Sequence, residues 1–184
     1  MGKFLEVRRH SIKGAPPFGE VLSNEGVELA RKVGEGMRGR NYLKLYCTSF
    51  FRTAQTLTAF AEGARDFSVR DFRIVDQLGP SYLHWVDIAW GKIKTEGMQA
   101  ISVGYHIRTN VSFTAAEARR LRIIAFDLVN GVQEDGRVLF VGHNLLSELM
   151  LYGLTGDVID PLAECEGFQV SFSAKGQVSD IFRL

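Results

Sequence analysis

The chain has 184 residues, 46% hydrophobic and 23% charged, with a formal net charge of +1. That length suits one domain with a single substantial core, and the near-neutral charge supplies no global field to recruit nucleic acid or an anionic membrane. The longest apolar runs, VLFV and IIAF, fall far short of a membrane span, and no signal-peptide apolar region follows Met1.

Residues 3–9 predict a first strand, with Phe4, Leu5 and Val7 apolar and Glu6 and Arg8 polar. Alternation sets Arg8 opposite Arg9, and a solvated surface position is expected for it. A loop rich in Gly and Pro (Gly14, Pro16, Pro17, Gly19) leads to Ser23, a helix N-cap candidate. Val27, Ala30, Val33 and Met37 then have the spacing of one buried helical face, which Gly39 would end. LKLYC, residues 43–47, predicts a second strand, and TSFFRTAQTLTAFAEG a turn into a helix. A third strand at 69–75 is weakened by its charged residues.

Residues 76–113 form an irregular, aromatic-rich excursion with one helix (Tyr82, Trp85, Trp90, Tyr105 and Phe113). Packing is the expected role for these rings, and packing or exposure for His84 and His106. Thr114 and Glu117 have capping-box spacing, followed by a buried face at Ala118, Leu121, Ala125 and Leu128. Gly136 precedes a strand at 138–141, and His143 opens the next helix. The tail predicts a hairpin, GFQVSFS and QVSDIFRL, turning at Ala174, Lys175 and Gly176. Strand and helix alternate four times before that hairpin. The expectation is one α/β domain over 1–184: a mostly parallel sheet flanked by helices, with an antiparallel edge.

Two of the four histidines stand at strand ends, His10 after FLEVRR and His143 after VLFVG. Ligands of open α/β sheets bind outside the carboxyl ends of the strands, where both rings would project. Arg52, a few residues past the second strand, joins Arg9 at the same edge. Amides of the helix starting near Asn144 could add donors for an anion. An imidazole near its ordinary pKa of ~6.5 is largely neutral at pH 7, with one ring nitrogen free to attack phosphorus. Two guanidinium groups could hold the phosphoryl oxygens through a loose transition state. His10 is the natural nucleophile and His143 a phosphate ligand. A zinc site built from His10, His143 and Cys47 lacks close ligand spacing, and the adjacent arginines would repel the cation. Cys47 and Cys165 follow no pattern and suit reduced thiols of a cytoplasmic protein, with Cys47 buried and inert.

The succession Arg9-His10, LSNEGVELA, TSFFRTAQT and VLFVGHN resembles the histidine phosphatase superfamily, in its phosphoglycerate-mutase-like branch. The resemblance runs from residue 4 to about 60 and again over 136–184. It implies a three-layer α/β/α sandwich, a phosphohistidine intermediate on His10, and a phosphate pocket completed by Arg9, Arg52 and His143. It implies no metal and no organic cofactor. The family pattern Arg-His-Gly is here Arg-His-Ser, so Ser11 joins Asn144 as a substrate-binding candidate. Many members carry a glutamate after the third strand as general acid. Here Leu78 is followed by Gly79 and Pro80, which leaves Asp76 as the candidate acid, with Asp87 out of register. Bacterial phosphohistidine phosphatases resemble this pattern, and their imidazole leaving group needs less protonation than an alkoxide.

The expected function is hydrolysis of a phosphomonoester or phosphohistidine, with a phosphorylated small molecule or a phosphohistidine protein as partner. The alternatives are a phosphoglycerate-mutase-like phosphotransferase, or a catalytically weak module that binds phosphorylated protein.

Overall fold

A computed structural model of the chain describes residues 2–15, 20–65, 72–78, 91, 95, 97, 102–132, 136–173 and 175–184. Among the described residues six strands form one sheet: β1 (Lys3–Arg9), β2 (Tyr42–Cys47), β3 (Phe72–Ile74), β4 (Arg137–Gly142), β5 (Gly167–Phe172) and β6 (Val178–Arg183). Their order is β3-β2-β4-β1-β5-β6. The first four strands in that order run parallel, while β5 and β6 are antiparallel additions, as the terminal hairpin predicts. The chain steps from β1 over to β2 and β3, then returns to set β4 between β2 and β1. That reversal brings the carboxyl ends of β1, β4 and β2 side by side.

Five α-helices lie among the described residues: α1 (Asn24–Glu35), α2 (Phe51–Ala64), α3 (Val103–Thr109), α4 (Val111–Asn130) and α5 (Leu146–Thr155). The side-chain alternation of β4 separates two apolar clusters. Leu139 and Val141 pack with Ala30, Leu57 and Phe60 of α1 and α2. Val138 and Phe140 pack with Leu121, Ala125, Leu146 and Leu149 of α4 and α5. The sheet is therefore covered on both faces, as a parallel sheet requires.

Ser23 caps α1, accepting from the Gly26 amide at 3.0 Å. The buried face of α1 holds Gly26, Ala30 and Gly34, with Met37 just beyond, while Val27 and Val33 are half-buried. The helix ends at Gly36, and Gly39, with φ +78°, closes the turn that follows. Gly63 of α2 lets the two helices cross closely: a Cβ there would lie 2.0 Å from the Arg31 carbonyl oxygen.

Two expectations are corrected. Helix α4 begins at Val111, three residues before the capping-box pair, and its N-cap Asn110 makes no side-chain cap. Thr114 instead donates to the His106 carbonyl at 3.0 Å, and Glu117 pairs with Arg120. These tertiary bonds use the side chains that the box would need. Arg8 is not a surface residue. It is 6% exposed, donating through Nε to Glu6 Oε1 at 2.6 Å and through Nη1 to the Cys165 carbonyl at 2.8 Å. Glu6, fully buried, also accepts from Arg40 Nη1 at 2.9 Å and the Tyr42 hydroxyl at 2.5 Å. Alternation gives Arg8 the face opposite Arg9, but that face lies under α1 and α2, so polarity there is answered by an internal ion cluster.

Of the aromatic segment, Tyr105 and Phe113 are described and pack in the core, and His106 is buried against the Tyr105 ring. Tyr82, His84, Trp85, Asp87 and Trp90 lie outside the described residues.

Candidate active site

β1 and β4 run in parallel register up to Arg9 opposite Gly142, and the His10 amide donates to the Gly142 carbonyl at 2.9 Å. This places the residues after each strand together. The His10 and His143 rings meet edge to face, with centroids 5.0 Å apart. Arg52, in the first turn of α2, reaches both: Nε lies 3.3 Å from His10 Nε2 and Nη2 3.4 Å from His143 Nδ1.

These contacts assign the tautomers. His10 Nδ1 lies 2.6 Å from the Ser11 carbonyl oxygen, which can only accept, so Nδ1 carries the proton. The Nε2 lone pair is left facing the guanidinium of Arg52. On His143, Nε2 lies 2.9 Å from Thr48 Oγ1. Thr53 donates to the Phe50 carbonyl at 2.6 Å and stands 3.1 Å from Thr48 Oγ1. Thr48 therefore gives its proton to Thr53 and accepts from His143 Nε2–H. A relay of donors from ring to hydroxyl to hydroxyl to carbonyl thus turns the His143 Nδ1 lone pair toward Arg52.

Both rings are buried, at 7% and 0% exposure, and burial is the chief reason both are driven toward the neutral form. His10 is pushed down to about 4, with the Ser11 carbonyl opposing the shift and the charges of Arg52 and Arg9 adding to it. His143 is held well below the usual histidine range by burial, then by His10, Arg52 and Arg9. A neutral ring with an unprotonated nitrogen beside a fixed cation can act as a nucleophile toward an electrophilic phosphorus.

Arg9 continues the face of Leu5 and Val7. Its Nη1 donates to the Leu162 carbonyl at 2.6 Å and Nη2 to Glu164 Oε1 at 2.9 Å, while Nε is buried without a partner. Its charge bears on both imidazoles. Asn144, half-buried, occupies the turn after His143. The next residue, Leu145, has φ +62° and ψ −49°, a conformation that costs a leucine on the order of 1–3 kcal/mol. That strained step lets the chain turn sharply from His143 into α5, where the Ser147 amide returns to the His143 carbonyl at 3.0 Å.

Ser11 is fully buried and is spent on structure. Its hydroxyl donates to the Gly26 carbonyl at 2.7 Å, and its amide to Thr56 Oγ1 at 3.0 Å. Gly26 is needed there, because a Cβ would lie 2.1 Å from the Ile12 carbonyl oxygen. Asp76 is exposed in the 3₁₀ turn Asp76–Leu78 after β3, at the same sheet edge. β3 is separated from β4 by β2, and among the described residues no bond joins Asp76 to the histidine cluster.

Four residues of the cluster escape a reading of the sequence. Thr48 orients His143. The Phe50 ring lies edge to face with His143, centroids 4.8 Å apart, and its centroid is 4.6 Å from the Arg52 guanidinium carbon. Exposed Glu20 pairs with Arg52 Nη1 at 3.4 Å. Glu148 is buried in α5 and accepts from the Leu162 amide at 2.7 Å. For Thr48 and Phe50 a signal exists, since both stand in the turn between a strand end and Arg52. Glu148 sits in the apolar run LSELML and gives none.

Among the described residues, no helix is long and apolar enough to cross a membrane. No family model and no curated protein matches the chain in sequence. Solved structures do match. A phosphoglycerate mutase from Bacillus anthracis str. Sterne aligns over 100% of this chain and 92% of its own, with TM-score 0.66 and 15% identity. The protein histidine phosphatase SixA complexed with tungstate aligns over 100% and 96%, with TM-score 0.62 and 14% identity. A phosphoserine phosphatase from Entamoeba histolytica, in complex with 3-phosphoglyceric acid, aligns over 96% and 94%, with TM-score 0.61 and 16% identity. At these identities the likeness is one of fold: this chain is built on the phosphoglycerate-mutase-like α/β scaffold that its resemblance to the histidine phosphatase superfamily implies.

Proposed function

We propose that the protein is a phosphohydrolase that acts through a phosphohistidine on His10. The observation that carries this reading is the placement of Arg52 between two neutral imidazoles 5.0 Å apart, with His10 Nε2 presenting its lone pair to the same space. In the proposed reaction His10 Nε2 attacks phosphorus, forming the P–N bond as the bond to the leaving group breaks. Arg52 and Arg9 bind the equatorial oxygens, and neutral His143 holds the Arg52 guanidinium through its Nδ1 lone pair. Asp76 is the candidate acid for the leaving atom. Water then attacks the phosphohistidine, releasing phosphate and restoring the lone pair.

A phosphorylated small molecule or a phosphohistidine side chain fits this chemistry. Phosphohistidine is favoured by the absence of a glutamate after Leu78, since an imidazole leaves with less help than an alkoxide. A cytoplasmic setting belongs to the same proposal and is supported by two free, buried thiols, Cys47 and Cys165. Hydrolysis of an aryl phosphate and of a phosphohistidine peptide, with interconversion of phosphoglycerates assayed in parallel, tests the reading. Release of inorganic phosphate that is lost in His10→Ala is expected. Phosphate transfer between phosphoglycerate positions without net release would replace hydrolase by mutase, and phosphopeptide binding with no turnover would overturn both.

A further inference from the structure

The peptide of Leu162 is gripped from both sides. Glu148 Oε1 accepts its amide proton at 2.7 Å, and Arg9 Nη1 donates to its carbonyl at 2.6 Å. The same two side chains each keep one buried polar atom without a partner, Glu148 Oε2 and Arg9 Nε. Glu148 is 2% exposed, so bulk solvent does not reach that second oxygen. An ionised carboxylate in that position would be held by the backbone amides of Leu162, Glu148 and Leu145 and would attract one charged group, the guanidinium of Arg9.

We propose that Glu148 is a positioning residue that governs how far Arg9 is available to an oxyanion. As the acid it holds the Leu162 peptide and leaves the guanidinium to the ligand; as the carboxylate it draws the guanidinium back. The inference rests on the phosphate-pocket reading above and adds a protonation switch behind it. Burial raises the Glu148 carboxyl to about 7, so both forms are accessible near neutrality.

Among the described residues, the other charged groups around it are paired or neutral. Glu164, on the segment after α5, pairs with Arg9 Nη2 and holds the far side of the same guanidinium. His143, before α5, feels Arg9 and is driven to its neutral form. On α4, which packs against α5, Glu117 and Arg120 are paired with each other. An oxyanion on Arg9 and a negative charge on Glu148 compete for one cation, so the anion must raise the proton affinity of Glu148. By linkage, anion binding then weakens as pH rises through the range in which Glu148 ionises.

The test is calorimetric binding of tungstate, which needs no turnover, to the wild-type protein and to Glu148→Gln between about pH 6 and about pH 8.5. The amide keeps an acceptor for the Leu162 amide and cannot ionise. His10 and His143 contribute their own proton uptake in both proteins, so the difference between the two profiles isolates Glu148. Wild-type affinity is expected to fall on the order of tenfold more than that of Glu148→Gln across this range. Wild-type binding should also take up more protons, read from its dependence on buffer ionisation enthalpy. Parallel profiles with equal proton uptake overturn the inference while leaving the pocket intact. Failure of the wild type to bind tungstate at any pH overturns the pocket itself.

Discussion

Arg8 and Arg9 are consecutive on β1 and face opposite sides of one sheet, and they keep different company. Arg8 belongs to an ion cluster with Glu6, Arg40 and Tyr42 in which both carboxylate oxygens of Glu6 are bonded. Arg9, bonded to Glu164 and the Leu162 carbonyl, keeps an unbonded Nε, and its charge bears on the two imidazoles that share Arg52. At the first site a shared carboxylate with both oxygens bonded holds the fold. At the second, a buried donor without an acceptor and two neutral imidazoles on Arg52 are suited to an anion. Sequence neighbours with the same side chain can therefore be told apart by asking whether every donor has an acceptor.

If this contrast is correct, substitutions on the two sides must separate activity from stability. His10→Ala should lower turnover by on the order of 10⁴-fold or more, with no loss of folding cooperativity in urea, because it removes the attacking lone pair. Glu6→Ala should do the reverse. It leaves Arg8 and Arg40 without their shared buried carboxylate, and a loss of about 3–5 kcal/mol in urea denaturation is expected, with turnover per folded molecule retained. A Glu6→Ala protein of wild-type stability would break the comparison.

Arg52→Lys should reduce kcat/KM roughly 10²–10³-fold, since one ammonium cannot reproduce the two directed contacts of the guanidinium. Acid sensitivity sharpens the same side. His10 has its pKa depressed to about 4 against ~6.5 in the unfolded chain, so the native state binds fewer protons between these values. The stability is complete above about pH 6.5 and is lost as pH falls toward about 4, by on the order of 3 kcal/mol from this group. His10→Gln should flatten that part of a stability-against-pH curve. The smallest effect is expected at Thr48→Val, which removes the acceptor that fixes the His143 tautomer; about a tenfold drop in kcat/KM, with KM rising more than kcat falls, would fit.

Much of the scaffold can be read from local pattern. Ser23 stands before an amphipathic stretch, and the alternation of β4 and the terminal hairpin are plain, because each is decided by neighbours in sequence. The pairing of His10, Arg52 and His143 is legible through the family-like order of their motifs, which places them at adjacent strand ends. Other features need three dimensions. Arg8 reads as a surface residue because alternation reveals which face it takes and not what covers that face. Thr114 and Glu117 satisfy a capping pattern, but α3 offers Thr114 a carbonyl and α4 gives Glu117 an arginine, so the helix starts earlier. Glu148 is hidden in a run of leucines, and its meaning comes entirely from the Leu162 peptide that folds back over it.

Direct detection of the covalent intermediate bears most closely on the account. The protein is mixed with a labelled phosphodonor, quenched in denaturant, and the labelled residue is mapped by mass spectrometry. Nucleophilic attack by His10 predicts an acid-labile, base-stable phosphoryl group on that residue, absent from His10→Ala. Label on a serine, or undiminished turnover by His10→Ala, would contradict it.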